Sequence, residues 1–273
     1  MARLHPSRSP WRVMSAVLYA ITVRDLRARF IQNVNTPRSL AFVWVFLEPM
    51  MHVAIWSAIR MMYGSHIDYG MPLLLFIFLG SMPWLYFKQV FGGNLTAFKK
   101  NSGLYLHRQI KPIDPIIATA LLELGIQICV FVVVLTGFWW FGMSLSISHP
   151  LRWLFCYLTY AVFVLGLGLL FAVIGFFFPF FKNLMRILMR GLYLISGVFF
   201  AASNIPYVMR PYFTANPVFQ IIEISRESFM PVQSHFTLTS PGYLAESALV
   251  SLFVGLTVYF WARRRILTEY SQR

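Results

Sequence analysis

The residues in this chain that can do chemistry stand in apolar surroundings. Trp44, Glu48, His52, Trp56 and Arg60 recur every four residues, so on a helix each step drifts only about 40° and the five make one slanting polar and aromatic stripe. Ionisable groups at membrane depth are costly and face protein or a wet cavity, which turns this stripe away from lipid. Glu48 and His52 stand i, i+4, so a hydrogen bond between them competes with a direct role toward a ligand. Arg186 and Arg190, also four apart, either hold a phosphate or snorkel to ordinary headgroups. Lys99, Lys100, Arg108 and Lys111 surround Leu104, Tyr105 and Leu106. That segment reads as a short docking helix with one apolar ridge, or as a basic loop that only fixes topology. Catalysis finds little to use: no HExxH occurs, Asp25, Asp68 and Asp114 fall outside the apolar stretches, and Cys129 and Cys156 sit singly inside them, where a thiol is a small apolar filler.

Six apolar stretches position these residues: Leu40 to Met62, Met71 to Phe91, Ile116 to Phe141, Trp153 to Phe178, Leu184 to Ala202 and Leu244 to Ala262. Each approaches the roughly 20 residues that a helix needs to cross hydrocarbon. With 58% apolar and 12% charged residues and a mean hydropathy of +0.66, the chain is solvated mostly by lipid. If every stretch crosses once, nineteen of the 23 Lys and Arg lie on one side, leaving only Arg60, Arg152, Arg210 and Arg226 on the other. The positive-inside bias then puts both termini in the cytoplasm. The net charge of +14 is thus a topology signal, and its scatter over loops argues against a nucleic-acid partner.

Residues 1–39 form an N-terminal segment in which Val13, Val17, Leu18, Ile21 and Leu26 alternate with Arg. This predicts an amphipathic helix in the membrane interface over Trp11 to Phe30, retained rather than cleaved as a signal peptide. Residues 40–262 form the membrane domain, 92–115 a cytoplasmic loop, and 263–273 a basic tail. Between 203 and 241, Pro206, Pro211, Pro217 and Pro231 break a sequence too polar to span and too apolar to be a free loop, predicting short re-entrant or surface helices on the outer side. Glu223, Arg226 and Glu227 read there as local helix pairs. Gly166, Gly168, Ala172 and Gly175 predict close helix contact along the fourth stretch, and Pro179 is expected to end it.

TPRSLAFVWVFLEP (Thr36 to Pro49), HVAIWSAI (His52 to Ile59) and RQIKPIDPIIATALLE (Arg108 to Glu123) resemble the membrane subunit of capsular polysaccharide exporters, which are ABC-2 type permeases. The resemblance runs from the N-terminal helix to the basic tail. It implies an all-α integral membrane protein of six spans with the ABC-2 (type V exporter) permease fold, acting as a homodimer with two copies of a separate ATPase. A lipid-linked acidic polysaccharide would pass to the periplasm, where a co-polymerase and an outer-membrane channel continue the path. The loop of residues 92–115 would carry the coupling helix, while for Arg186 and Arg190 a lipid-linked phosphate and ordinary headgroups both stay open. Trp84 and Tyr86, near the inner end of the second span, would either anchor the interface or stack on sugar rings. No GxxxxGK[ST] loop is present, so no cofactor is expected on this chain, and ATP and Mg would bind the partner. A permease for another surface glycan or lipid, such as O-antigen or teichoic acid, is the nearest alternative. A secondary carrier would want internal repeats, of which none is evident, and more than the few central acids present here.

Overall fold

A helix that is apolar on every side has to be buried, and Leu73–Asn94 is such a helix, enclosed along almost its whole length. The computed structural model describes residues 10–31, 38–62, 70–106, 109–143, 145–229 and 238–271, and every regular element among them is helical. In chain order these are α1 (Pro10–Ile31), α2 (Arg38–Met62), the buried α3 (Leu73–Asn94), α4 (Ala97–Lys100), α5 (Asp114–Trp140), α6 (Pro150–Phe177), α7 (Phe181–Ile195), α8 (Arg210–Thr214), α9 (Pro217–Ser228) and α10 (Pro241–Ser271). Short 3-10 turns cover Ser102–Leu106, Ala202–Asn204 and Tyr207–Met209. Around α3 pack α2, α5, α6 and α9.

Local chemistry sets the helix ends. Pro115, Pro150, Pro217 and Pro241 lie in first turns, where a missing N–H costs nothing, and Asn216 caps α9 by accepting from Val218 N at 3.0 Å. α6 stops at Phe177, just before Pro179, as its sequence predicts. Inside α3, Pro83 removes a backbone donor, while Gln127 donates to the Met82 carbonyl (2.7 Å) and the Tyr160 hydroxyl to that of Pro83 (3.0 Å).

Glycine governs the tightest packing. A Cβ on Gly166 would strike the backbone of Ser251 and Leu252, and one on Gly255 would strike the carbonyl of Gly166. Only glycine at both positions lets α6 and α10 cross this closely. Gly168 faces the Asn94 side chain and Gly175 the Leu95 carbonyl, so the small residues of α6 do make the close contacts that their spacing predicts.

Four helices among the described residues, α3, α5, α6 and α10, have the length and hydropathy to cross a membrane. Each of the six predicted stretches meets a helix, with two differences. The fifth was expected over Leu184 to Ala202, yet α7 spans Phe181–Ile195 and the chain then turns through Gly197 at φ +76°. The connection before α7 is correspondingly short, and Lys182, Arg186 and Arg190 lie in the helix itself. The predicted tail, for its part, is no loose end: α10 continues to Ser271.

The bundle has two distinct ends. At one, Phe98, Ile116, Tyr259, Ala262 and Ile266 form a small core that joins α4, α5 and α10, with α1 packed on α5. At the other, Arg152 of α6 bonds Glu227 of α9 (3.1 Å), and Thr239, ahead of α10, donates to both Glu227 oxygens (2.9 and 2.8 Å). Burial pushes the Glu227 carboxyl above its usual range, with the Thr239 and Arg152 contacts working against it.

Candidate functional site

On the α2 stripe His52, Trp56 and Arg60 face protein, through contacts the sequence does not specify, while Glu48 is exposed. His52 Nε2 lies 2.5 Å from the Tyr193 hydroxyl of α7. The Trp56 ring packs on Phe199 with centroids 4.1 Å apart and on Tyr193 at 6.1 Å. Arg60 donates to the Phe199 carbonyl at 2.5 Å and lies over the Phe76 ring at 4.8 Å. Glu48 accepts from Gln89 of α3 at 3.5 Å, so Glu48 and His52 each reach a neighbouring helix as well as standing i, i+4. The side chain of Trp44 lies outside the described residues.

Between α2, α3 and α7 opens a groove of about 480 Å³. Leu85, Phe91, Leu95 and Met189 supply apolar wall, while His52, Trp84, Lys88, Gln89, Arg190 and Tyr193 supply aromatic and polar groups. Lys88 and Arg190 are exposed cations on this apolar cleft. That pairing suits an amphiphile with an anionic head, whose charge meets ammonium and guanidinium groups while its chain lies on Leu and Phe. Three of the residues singled out by sequence, His52, Trp84 and Arg190, come together here. Tyr86 does not. It is buried on another face of α3, its hydroxyl 3.5 Å from the Ala120 carbonyl and its ring 6.1 Å from that of Tyr160. Arg186 belongs to α7, but its side chain lies outside the described residues. Lys88, Gln89 and Tyr193 were missed, although Tyr193 stands i+3 from Arg190 and so shares its helix face.

The second candidate surface is the end built from α1, α4 and residues 101–106 and 109–113. Asp25 of α1, almost buried, binds Arg24 at 2.8 Å and Lys100 at 3.5 Å. Arg24 also donates to Asn101 Oδ1, and Asn101 Nδ2 to the Ala97 carbonyl at 2.8 Å. α1 is thus tied to the basic segment. Leu104 lines a groove of about 370 Å³ against Val13, Val17 and Ile21 of α1. Tyr105 is half-buried beside the core of Phe98, Tyr259 and Ile266, which makes it an internal strut of this surface. Lys99 and Lys111 are exposed, and the Lys111 amide donates to Asp114 Oδ2 at 2.8 Å. Lys99 also borders a hollow of about 220 Å³ with Lys182 and Glu269. Arg108 lies outside the described residues.

At the opposite end sequence reasoning saw only a local pair in Glu223 and Arg226. They do pair, at 2.7 Å, but Arg226 is fully buried and reaches much further. It donates to the carbonyls of Gly197 (2.8 Å), Val198 (2.7 Å) and Phe200 (3.0 Å). All four sparse-side cations are engaged with protein, since Arg210 donates to the Ile205 carbonyl at 3.3 Å.

No family model matches this chain. It is 32% identical to the polysialic acid transport protein KpsM of Escherichia coli, over 96% of this chain and all of that one. Against the capsule polysaccharide export inner-membrane protein CtrC of Neisseria meningitidis serogroup A the identity is 24%, over 90% of this chain and 91% of the other. The O-antigen export system permease protein RfbA of Klebsiella pneumoniae is 21% identical over 89% and 90%.

Proposed function

We infer the function from kinship and geometry together: the chain belongs to the family of capsule polysaccharide export inner-membrane permeases. It is a multi-pass inner-membrane protein and a permease subunit for capsule polysaccharide. O-antigen export is the weaker reading, because that relative is the more distant one.

Six crossings in the ABC-2 arrangement follow if α2, α3, α5, α6, α7 and α10 each pass once. α7 is the short member, since its 15 residues rise roughly 22 Å against about 30 Å of hydrocarbon. The turn after it completes the passage. Backbone at membrane depth is tolerated where protein satisfies it, and here Arg60 and Arg226 donate to the carbonyls of residues 197–200. The strongly basic end, with both termini, then faces the cytoplasm, and residues 202–229 cap the periplasmic side.

The groove between α2, α3 and α7 receives the lipid-linked acidic polysaccharide, with the lipid on its apolar wall and the phosphate at Lys88 and Arg190. Its pairing of cations with a greasy cleft is the observation that carries this reading. Two copies of the chain assemble with two ATPase subunits that bind ATP and Mg and dock on α1 and residues 92–115. A periplasmic co-polymerase and an outer-membrane channel take the polymer onward. The test restores the chain to cells lacking their own permease and measures surface capsule. Lys88→Glu with Arg190→Glu abolishes capsule at normal membrane levels, whereas Lys88→Arg with Arg190→Lys keeps much of it. Normal capsule from the charge-reversed pair overturns the assignment of the groove. In purified permease–ATPase complex, lipid-linked capsule glycan raises ATP hydrolysis and the same glycan without lipid does so less.

A further inference from the structure

Four successive carbonyls follow α7, those of Gly197, Val198, Phe199 and Phe200, and each accepts from a guanidinium. The donors come from different helices. Arg226 of α9 serves three of them and Arg60 of α2 serves the fourth, with the Phe76 ring near both, 3.7 Å from the Arg226 guanidinium and 4.8 Å from that of Arg60. We propose that Arg226 and Arg60 are positioning residues that divide the end of α7 into a fixed and a releasable link: Arg226 makes α7 and α9 one moving body, and Arg60 lets α2 part from it.

The asymmetry is physical. Arg226 is fully buried, balanced by a buried Glu223, and seated where Gly80 of α3 leaves no room for a Cβ beside its Nη2. Withdrawing it leaves three carbonyls without that donor and takes the 2.7 Å cation from a buried carboxylate, a penalty far above that of one hydrogen bond. Arg60 is half-buried and serves one carbonyl of this turn. The links described between α2 and the α7 region run through side chains of one stripe, His52 to Tyr193, Trp56 to Tyr193 and Phe199, and Arg60 to Phe199. Separating α2 therefore breaks side-chain contacts and no backbone ladder. α7 also carries Met189, Arg190 and Tyr193 of the groove. A displacement felt there is handed to α9, and through Glu227 and Thr239 to the start of α10, while α2 stays packed on α3 and parts from α7 at the stripe.

Hydrogen exchange on the full-length chain in lipid nanodiscs tests this without any ligand. In the unaltered protein, the turn of residues 196–202 and α9 exchange as one unit. In Glu223→Gln with Arg226→Met, which strands no charge, the turn exchanges roughly ten-fold faster or more while α9 keeps its protection. In Arg60→Gln, residues 53–62 of α2 speed up by a similar factor, and the turn and α9 do not; Arg60→Lys lies between. Equal protection of the turn in the doubly substituted chain overturns the proposal. So does loosening of the turn in Arg60→Gln as large as that in the double variant. Surface capsule does not enter either comparison, so the result stands apart from the assignment of the groove.

Discussion

Gly166→Ala and Gly125→Ala make the same chemical change on two membrane helices, and the structure gives them opposite signs. In a helix, alanine is favoured over glycine by about 1 kcal/mol. At Gly125 on α5 nothing lies within 4 Å of an added Cβ, so the gain is kept. At Gly166 the Cβ would stand 2.7 Å from the Leu252 Cα, with further backbone of Ser251 and Leu252 closer still. Ordinary carbon contact needs about 3.5–4.0 Å, so α6 and α10 must separate by roughly 1 Å. The obstacle is backbone and cannot rotate away, which puts the cost near the upper end of the usual overpacking range, about 3 kcal/mol. After the propensity gain the net loss is about 2 kcal/mol. For a chain of this size that lowers Tm by roughly 4–8 °C, while Gly125→Ala raises it by roughly 2–4 °C. Heating in detergent, followed by chromatographic measurement of surviving monodisperse protein, reads both shifts. A Gly166→Ala chain as stable as the unaltered one, or a Gly125→Ala chain less stable, would refute the claim that the crossing needs bare backbone.

Three further outcomes are expected. Tyr105→Ala removes a half-buried ring from the core shared with α10 and lowers glycan-stimulated ATP hydrolysis with normal membrane insertion, whereas Tyr105→Phe retains most of it, as steady-state hydrolysis in the permease–ATPase complex shows. Arg108→Glu abolishes that stimulation and leaves Tm unchanged; full stimulation removes Arg108 from the docking surface. Asp25→Asn weakens the tie between α1 and Lys100, whose side chain is 53% exposed; the loss is therefore small, about 1 kcal/mol or less, and appears as faster proteolysis of α1 more than as a change in Tm.

Apolar length made the helices legible, since a sequence that must satisfy its backbone inside lipid has few forms available. The proline at 179 was legible because its effect is local, and the glycines of α6 because small residues at helical spacing signal a close contact without naming its partner. The end of α7 was not. Residues 196–202 are as apolar as the helix before them, and what allows them to leave helical geometry is donors arriving from Arg60 and Arg226, 139 and 26 to 29 positions away in the chain. Arg226 was read as a local pair for the same reason. Its i, i+3 carboxylate is visible in sequence, and its three carbonyl partners are not. Three of the six polar and aromatic groups of the groove were within reach, because His52, Trp84 and Arg190 carry unusual chemistry for their setting. Tyr86 carries the same chemistry two positions from Trp84, but two positions on a helix is about 200°, which puts it against Tyr160 and away from the cleft.

The uninterrupted α10 touches both ends of the protein. Its 31 residues extend roughly 46 Å; just ahead of it the Ser240 amide is held by Gln220 of α9 at 2.9 Å, and near its far end Ile266 lies in the core beside Tyr105. The glycine crossing with α6 falls at Gly255, near the middle of this helix, which makes it the natural pivot for any tilt. A tilt of about 5° about that crossing carries each extremity by about 2 Å in opposite directions, so a movement at one face of the protein reaches the other with its sense reversed.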